Sequence, residues 1–336
     1  MLPHHDETTS QVGVLLTNLG TPTAPTKKAV RHFLKEFLSD QRIIELPRFI
    51  WQCLLRGIIL PIRSGKTAAL YQKIWTQAGS PLFTISQQQQ DVLQQTLNHD
   101  MSSTIKVSFA MRYGTPSIKT ALADLHQQGI QRILIFPLYP QYSAATTAST
   151  FDAIAQALRE WRHIPELRMI NHYASEPSYI EAIATQIQQH WQSNGRADKL
   201  IFSFHGLPEN SNTKGDPYSV QCQHTAKLVA QKLDLKNNTW MLTFQFRFGF
   251  AKWLQPYTDK TLASLPQQGI KSVDIICPGF SADCLETLEE ISITNQKVFL
   301  HAGGKSYHYI PALNAEPVHI NMMKQLIEKH TQGWLS

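Results

Sequence analysis

Two stretches of the chain carry the same landmarks in the same order, and this internal repeat restricts the fold more than any other feature of the sequence. The matched pairs are ALADLHQQGI (121–130) with TLASLPQQGI (261–270), FAMRYG (109–114) with FQFRFG (244–249), and LGTP (19–22) with HGLP (205–208). Each decapeptide leads into an apolar run that ends near a proline, and an apolar run also precedes each tetrapeptide. The repeat predicts two similar half-domains.

Apolar runs of strand length alternate with segments of helical periodicity along the chain. The predicted strands cover residues 12–17, 105–110, 132–138, 167–171, 199–204, 239–244, 272–277 and 296–300. Strands that alternate with helices form parallel sheets with helices on both faces. We therefore predict an α/β protein of two similar doubly wound domains with parallel sheets, Rossmann-like or flavodoxin-like.

The predicted domain limits follow the repeat. The first half-domain is expected to cover residues 1–162 and the second 163–307, and residues 308–336 are expected to form a C-terminal helix that packs back on the first domain. The first half is much longer between its landmarks than the second, which indicates an insertion at about residues 35–85.

The insertion is apolar and basic, with the sequence RFIWQCLLRGIILPIRSGK at residues 48–66. A transmembrane helix needs about 20 predominantly apolar residues, so this broken run is too short to span a bilayer. Two interpretations stay open. The segment is either an amphipathic element at a membrane surface or pocket rim, where Trp51 and the arginines suit an interface, or a helix hairpin in the core.

Composition limits the function classes. A net charge of +6 and a pI near 9.0 favour an anionic ligand or surface, but no dense Lys/Arg tract or nucleic-acid module is present, so we predict no nucleic-acid partner. Four cysteines without a CxxC pair predict neither a zinc knuckle nor a disulfide framework, which suits a reducing cytoplasm. The segment MLPHHDETTS carries no secretory signal pattern.

Nucleotide motifs are absent from the sequence. No GxGxxG follows a predicted strand, which excludes the dinucleotide fingerprint. Gly65-Lys66-Thr67 ends like a P-loop, but Leu60 occupies the position of the required first glycine. A GxSxG nucleophile elbow is also missing.

Candidate catalytic groups lie at strand ends of the second half. His205 follows an apolar strand at a turn, and the carboxyl ends of strands are where α/β proteins bind ligands. Downstream, Asp283, Glu286 and Glu290 are spaced to share one face of a helix, with Ser281 as its predicted N-cap. An imidazole facing carboxylates binds a borderline metal ion or transfers protons. Simpler alternatives are a turn-capping histidine and a solvated acidic helix face.

Eight segments form an ordered set over nearly the whole chain. They are LTNLGTP (16–22), AGSPL (78–82), the pair Arg112-Tyr113, PLYPQYS (137–143), FSFHGLP (202–208), KGDPY (214–218), WLQPYTD (253–259) and CPGFSADCLETLEE (277–290). Together they resemble the bacterial ferrochelatases. The resemblance implies a chelatase-like fold and insertion of Fe²⁺ into protoporphyrin IX, the last step of heme biosynthesis. Chelation of cobalt or of coproporphyrin, or a non-catalytic tetrapyrrole or metal carrier, are the alternatives.

The resemblance also implies roles for the strand-end residues. By motif match, His205 is the active-site histidine and proton acceptor, and Glu286 is the carboxylate across the cleft, so both are candidate metal ligands. Asp283, Glu286 and Glu290 are then expected to form a polar path for protons or metal.

Further positions match the porphyrin pocket of the family. Leu19 stands where relatives carry tyrosine or methionine, so it is expected to act as an apolar wall, and Arg63 and Ser80 match positions that hold propionates. The remaining expected pocket residues are Arg112, Tyr113, Tyr218, Trp253 and Phe280.

The chain departs from the family pattern at three informative positions. Phe246 stands where serine is more common, Cys284 replaces the histidine of animal relatives, and Ala144 replaces a cysteine of the animal iron–sulfur cluster. We therefore expect no cluster and no required cofactor, because Fe²⁺ is a substrate. A monomer or homodimer in the cytoplasm, in peripheral contact with the inner membrane through the insertion, completes the prediction.

Overall fold

The computed structural model describes residues 11–100, 105–249 and 251–334. The prediction about a secretory signal falls on residues 1–10, outside this range. Within the described ranges, no helix is both long and apolar enough to cross a bilayer.

Eight strands and twelve α-helices form the described fold. The strands are β1 (Val12–Gly20), β2 (Ile105–Tyr113), β3 (Arg132–Pro137), β4 (Glu166–Met169), β5 (Lys199–His205), β6 (Trp240–Gln245), β7 (Ser272–Ile276) and β8 (Ser306–Ile310). The helices are α1 (Lys27–Leu38), α2 (Arg48–Leu54), α3 (Leu60–Ile74), α4 (Pro81–Asp100), α5 (Ile118–Gln127), α6 (Ser149–Leu158), α7 (Pro177–Asn194), α8 (Asn210–Thr213), α9 (Tyr218–Lys232), α10 (Thr258–Ser264), α11 (Gln296–His301) and α12 (Pro317–His330). Shorter pieces are π-helices at Leu55–Ile59, Ala144–Ala148 and Glu286–Asn295 and a 3₁₀ turn at Leu265–Gln268.

The strands form two four-stranded parallel sheets with the same topology. Their orders are β2-β1-β3-β4 and β6-β5-β7-β8. This is the flavodoxin-like order. The second strand of each half is added on one side of the first strand, and the third and fourth strands are added on the other side. The predicted α/β class with two doubly wound domains is confirmed.

One predicted strand is wrong. Residues 296–300 belong to helix α11, and the edge strand is β8 instead. A short apolar run such as KVFL does not distinguish strand from helix by periodicity alone. Burial identifies the helix, because Ile291, Asn295 and Phe299 are buried at a spacing of four residues, which a helix shows and a strand with a period of two does not.

The predicted domain limits each omit one edge strand. Strand β4 lies beyond residue 162 but pairs with β3 of the first sheet. Strand β8 crosses residue 307 and pairs with β7 of the second sheet. The sequence predicts a strand at 167–171, but residue order alone does not show which of two sheets an edge strand joins.

The repeated glycines explain why the tetrapeptide landmarks recur. A Cβ added to Gly20 would lie 1.8 Å from the carbonyl oxygen of Tyr113, and one added to Gly206 would lie 2.5 Å from that of Phe246. In both halves the end of the first strand therefore passes too close to the neighbouring backbone for any side chain.

The insertion forms a helical lip between α1 and α4. Helix α2 runs through the π-helical turn Leu55–Ile59 into α3, and α3 packs on α1. At the other end of the chain, α12 packs against both α4 and α7, so the C-terminal helix contacts both halves.

Candidate active site

The two halves meet at the carboxyl ends of their central strands. The Ser281 hydroxyl, after β7, donates to the Leu138 carbonyl, after β3, at 2.9 Å. The Gln89 side chain on α4 donates to the Ser281 carbonyl, also at 2.9 Å. Lys73 on the lip helix α3 forms an ion pair with the buried Glu289 at 2.7 Å. These contacts hold the lip over the strand ends of the second sheet.

His205 is the last residue of β5 and half-buried. Its Nδ1 lies 2.7 Å from the Gly206 carbonyl oxygen, and because a carbonyl only accepts hydrogen bonds, Nδ1 is the donor. The Nε2 atom therefore keeps a lone pair in the neutral ring. Burial lowers the pKa of His205, although the charge of Glu286 opposes this shift. The result is a neutral base held in one tautomer.

Aromatic rings surround this imidazole. Phe246 stacks on it with ring centroids 5.0 Å apart and an interplanar angle of 28°, and Phe280 meets it edge-on at 6.4 Å. Trp253 packs edge-on against Phe246 at 5.9 Å and donates its indole N–H to the Phe248 carbonyl at 2.9 Å. The predicted pocket residues Trp253 and Phe280 therefore lie with His205 in one apolar wall.

The two glutamates of the site lie on the π-helix Glu286–Asn295. The wide turns of a π-helix place residues four and five apart on the same side. The side chains of Glu286 and Glu290 therefore lie on the same side of the helix, one turn apart. Glu286 interacts electrostatically with His205, and Glu290 accepts the Phe246 backbone N–H at 2.8 Å. Burial raises the pKa of Glu290 to about 8, and the charge of Glu286 adds to the shift. Glu290 is therefore protonated at neutral pH.

Asp283 does not share this helix face, so that part of the prediction is wrong. It precedes the helix, and its carboxylate accepts from the Tyr309 hydroxyl at 2.5 Å, from Thr287 at 2.8 Å and from the Asn314 side chain at 2.8 Å. Ser281 is not the N-cap either, since its hydroxyl bonds to Leu138. The buried Asp283 carboxylate fastens the loop after β7 to the segment after β8.

The first half supplies the facing residues. Leu19 is half-buried at the end of β1 in an apolar cluster that Leu285 and Leu288 of the second half also join. Ser80 is buried, and its hydroxyl accepts from Thr21 at 2.7 Å.

Arg63 on α3 is a cation without a counter-charge. Its guanidinium lies 4.6 Å from the centroid of the Phe248 ring, and among the described residues no carboxylate lies within ion-pair distance of it. Burial lowers the pKa of Arg63. A half-buried cation without an ion-pair partner suits an anionic group of a ligand.

Arg112 and Tyr113 are already engaged within the first half. Arg112 forms an ion pair with Asp40 at 2.5 Å, and the Tyr113 hydroxyl donates to the same carboxylate at 2.8 Å. The Ser149 hydroxyl also donates to Asp40, at 2.6 Å. The structure thus brings this predicted pair to a buried carboxylate rather than to open space, and sequence reasoning missed Asp40 because it lies far away along the chain.

Two buried tyrosines lie near the segment that follows β7. Tyr218 is buried beside the turn at Gly279. Tyr71, on the lip helix, was not predicted; burial raises the pKa of its phenol, and the charge of Glu286 raises it further, so the two groups are neighbours. No local pattern marks Tyr71, which is one aromatic residue in an amphipathic helix.

Known proteins match this chain over nearly its whole length. The family model described as Ferrochelatase matches residues 11–331. "Ferrochelatase 1" of Shewanella oneidensis is 53% identical over 324 residues, covering 96% of this chain and 97% of the relative. "Ferrochelatase" of Pseudoalteromonas atlantica is 52% identical over 324 residues, covering 96% of this chain and 90% of the relative.

A solved structure shares the fold at low identity. SirB from Bacillus subtilis, determined with Fe³⁺, has a TM-score of 0.54 at 11% identity and covers 97% of both chains. That likeness concerns the two-domain architecture alone. The family match over nearly the whole chain, and relatives identical at half of their positions, establish that the chain belongs to the ferrochelatase family.

Proposed function

We propose that the protein is a metal chelatase that inserts Fe²⁺ into protoporphyrin IX and releases two pyrrole protons. The observation that carries the proposal is the neutral His205 with a free Nε2, facing Glu286 at the strand ends of the second sheet. Membership of the ferrochelatase family supports the same reaction.

The chemistry follows from the charge balance of the reaction. A free-base porphyrin carries two pyrrole N–H groups, and the metal replaces both protons. In our proposal His205 Nε2 accepts the first proton, since its lowered pKa keeps it unprotonated below the ordinary histidine value. Glu286, adjacent to it, receives protons or contacts the incoming Fe²⁺, and Glu290 passes protons along the π-helix. Asp283 orients the loop that carries them.

The substrate is proposed to lie between the two halves. Leu19 and the Phe280 wall supply apolar surfaces for the two sides of the macrocycle, and Arg63 with Ser80 receives a propionate. Arg112 and Tyr113 support the pocket floor through Asp40, and Tyr218 supports the turn at Gly279. No nucleic acid enters this scheme, and no cofactor or iron–sulfur cluster is expected.

The test is anaerobic metallation followed by absorbance, for the wild type, His205→Ala and Glu286→Gln. We expect both variants to lose about 100-fold or more in rate, while fluorescence titration shows that protoporphyrin still binds. The exposed His224→Ala is the matched control and should keep the wild-type rate. Unchanged metallation in His205→Ala would favour a non-catalytic carrier, and faster turnover of coproporphyrin or Co²⁺ would change the substrate assignment.

We also propose that the lip contacts the cytoplasmic face of the inner membrane. Its outer side exposes apolar side chains, with Phe49 82%, Ile50 65% and Ile62 57% exposed. Arg48 and Arg56 flank them, as in helices that lie in the headgroup region of anionic membranes. Trp51 is not part of this face: it is buried, and its indole donates to the Leu38 carbonyl at 2.6 Å.

Flotation with phosphatidylglycerol vesicles tests the membrane proposal. The variant Phe49→Glu/Ile50→Glu should stay with the unbound fraction, while Ile164→Glu should float like the wild type, because Ile164 is 58% exposed just before β4, at the opposite end of the first sheet from the lip. Equal flotation of all three proteins would contradict a role for the lip. The oligomeric state, monomer or homodimer, is measured by light scattering in the same samples without lipid.

A further inference from the structure

A cluster of three metal-ligating side chains lies in the second half, outside the cleft. Asp274 is in the middle of β7, and His308 is its direct partner on the edge strand β8. His190, near the end of α7, approaches both from the helix that covers this face of the sheet. The cleft is built beyond the carboxyl end of β7, so the cluster is a separate place in the fold.

The spacing of the three ligand atoms fits a tetrahedral metal ion. Asp274 Oδ1 lies 3.5 Å from His190 Nε2 and 3.1 Å from His308 Nδ1, and all three atoms lie within 4.8 Å of one another. A zinc ion with bonds of 2.0–2.2 Å separates neighbouring ligand atoms by about 3.4 Å. The two measured distances bracket this value.

Surrounding groups already orient two of the ligands. The second carboxylate oxygen, Asp274 Oδ2, accepts the Trp191 indole N–H at 2.7 Å and the Ala197 backbone N–H at 3.1 Å, which turns Oδ1 toward the histidines. His308 Nε2 lies 3.1 Å from the Ser306 hydroxyl and Nδ1 lies 3.1 Å from Asp274 Oδ1; when Nε2 carries the ring proton, the Nδ1 lone pair is available to a metal in place of that second hydrogen bond. Outer partners of this kind are typical of metal sites.

His190 supplies an unexplained polar atom. Its Nε2 is buried and has no hydrogen-bond partner within the described part of the chain, a rare condition that calls for a cause. On the other side of the ring, Nδ1 lies 3.3 Å from the Asn194 amide. The same amide nitrogen donates to the His190 carbonyl at 3.0 Å, so metal binding through Nε2, which needs the ring proton on Nδ1, would turn the amide to present its oxygen.

The charge balance also favours a cation. Asp274 is 1% exposed, and within residues 11–100, 105–249 and 251–334 its only ion-pair partners are the two histidines. The nearby guanidinium of Arg196 stacks on Trp191, 4.3 Å from the ring centroid. The side chain of His308 is 37% exposed, so the site opens to solvent for metal entry and for a water ligand.

We propose that His190, Asp274 and His308 form a second metal site for a borderline divalent cation, Zn²⁺ or Fe²⁺, which fastens α7 to the edge strand β8. Two imidazoles and one carboxylate with an open position suit either ion. The proposal is independent of the reaction in the cleft, since none of the three residues contributes to it.

The experiment separates this site from the cleft. In the variant His205→Ala/Glu286→Gln, which lacks the proposed cleft ligands, equilibrium dialysis should still show about one Zn²⁺ per chain, and Co²⁺ should give the intense visible absorption of a tetrahedral complex. Anaerobic dialysis against Fe²⁺ then ranks the two ions. Adding His308→Ala or His190→Ala should weaken Zn²⁺ binding by about 100-fold and remove the rise in thermal midpoint that Zn²⁺ produces.

Controls keep the outcome decisive. The exposed His301→Ala should bind Zn²⁺ like its parent, and His308→Gln or His190→Gln replaces any alanine variant that fails to fold. Absence of Zn²⁺ and Fe²⁺ binding, or binding that both cluster substitutions leave unchanged, would overturn the proposal and leave a hydrogen-bonded Asp–His group.

Discussion

Replacing Glu290 with glutamine should stabilise the protein at alkaline pH. The Glu290 carboxyl group has an ordinary pKa of 4.5 in the unfolded chain and about 8 in the folded protein, because burial disfavours its charged form. Between these values the folded state holds a proton that the unfolded state has released. The stabilising contribution of this group to the free energy of unfolding is therefore complete below about pH 4.5. It decreases as the pH rises and reaches a constant value above the pKa of the folded state.

The size of the effect follows from the shift. Each pH unit in this window removes about 1.4 kcal/mol, so the wild type loses about 2–3 kcal/mol between pH 6 and pH 8 through this one group. Glutamine has no proton to lose, and its side-chain oxygen still accepts the Phe246 backbone N–H that Glu290 accepts at 2.8 Å. The difference between Glu290→Gln and the wild type should therefore grow by the same amount over this range.

Urea unfolding followed by fluorescence at pH 6, 7 and 8 measures this difference. Glu160→Gln is the control; its carboxylate is exposed and paired with Lys119 at the surface, so its dependence on pH should match the wild type. A difference between Glu290→Gln and the wild type that stays constant from pH 6 to pH 8 would show that Glu290 is already ionised at pH 6, and the burial argument would fail.

Three further predictions concern the cleft and its support. Phe246→Ser should raise the pKa of His205 toward its ordinary value, because the stacked ring keeps water from the imidazole; the acid limb of the pH–rate profile should move to higher pH, and an unmoved limb would refute this. Arg63→Gln should raise KM for protoporphyrin by about tenfold with little change in kcat, since it removes a charge-assisted contact, and an unchanged KM would remove Arg63 from the propionate site. Asp40→Asn should lower the free energy of unfolding by about 3 kcal/mol, because it leaves the partly buried Arg112 charge without its partner. A loss below about 1 kcal/mol in urea titration would contradict that network.

The left-handed backbone of Phe246 explains why this position is unusual. Its φ is +61°, a conformation that costs a bulky residue about 1 kcal/mol or more. The Phe246 N–H in that geometry points to Glu290, and the ring covers His205. The substitution that the sequence marked as a departure from the family therefore lies between the proposed base and the proposed proton relay.

Patterns within short windows were enough to predict the architecture. The repeat of glycine landmarks and the alternation of strands and helices predicted two parallel doubly wound sheets, because close backbone approach at Gly20 and Gly206 and apolar periodicity are local constraints. The same windows marked His205 at the end of a buried strand and Glu286 in the helical segment that follows the next central strand. Where a short apolar run fits two structures, as at 296–300, local information did not decide between helix and strand.

Packing between distant segments decided the rest. Asp40 accepts hydrogen bonds from Arg112 and Tyr113, which lie more than 70 positions later in the sequence. Trp51 is buried, whereas Phe49, two residues earlier, is exposed. The pKa of Glu290 depends on its burial where the π-helix packs against the second sheet, and the meeting of His190 with Asp274 and His308 depends on how α7 lies across that sheet. Burial and through-space charge act between atoms that are close in three dimensions, so residue order alone specifies the elements but not which side chains they bring together.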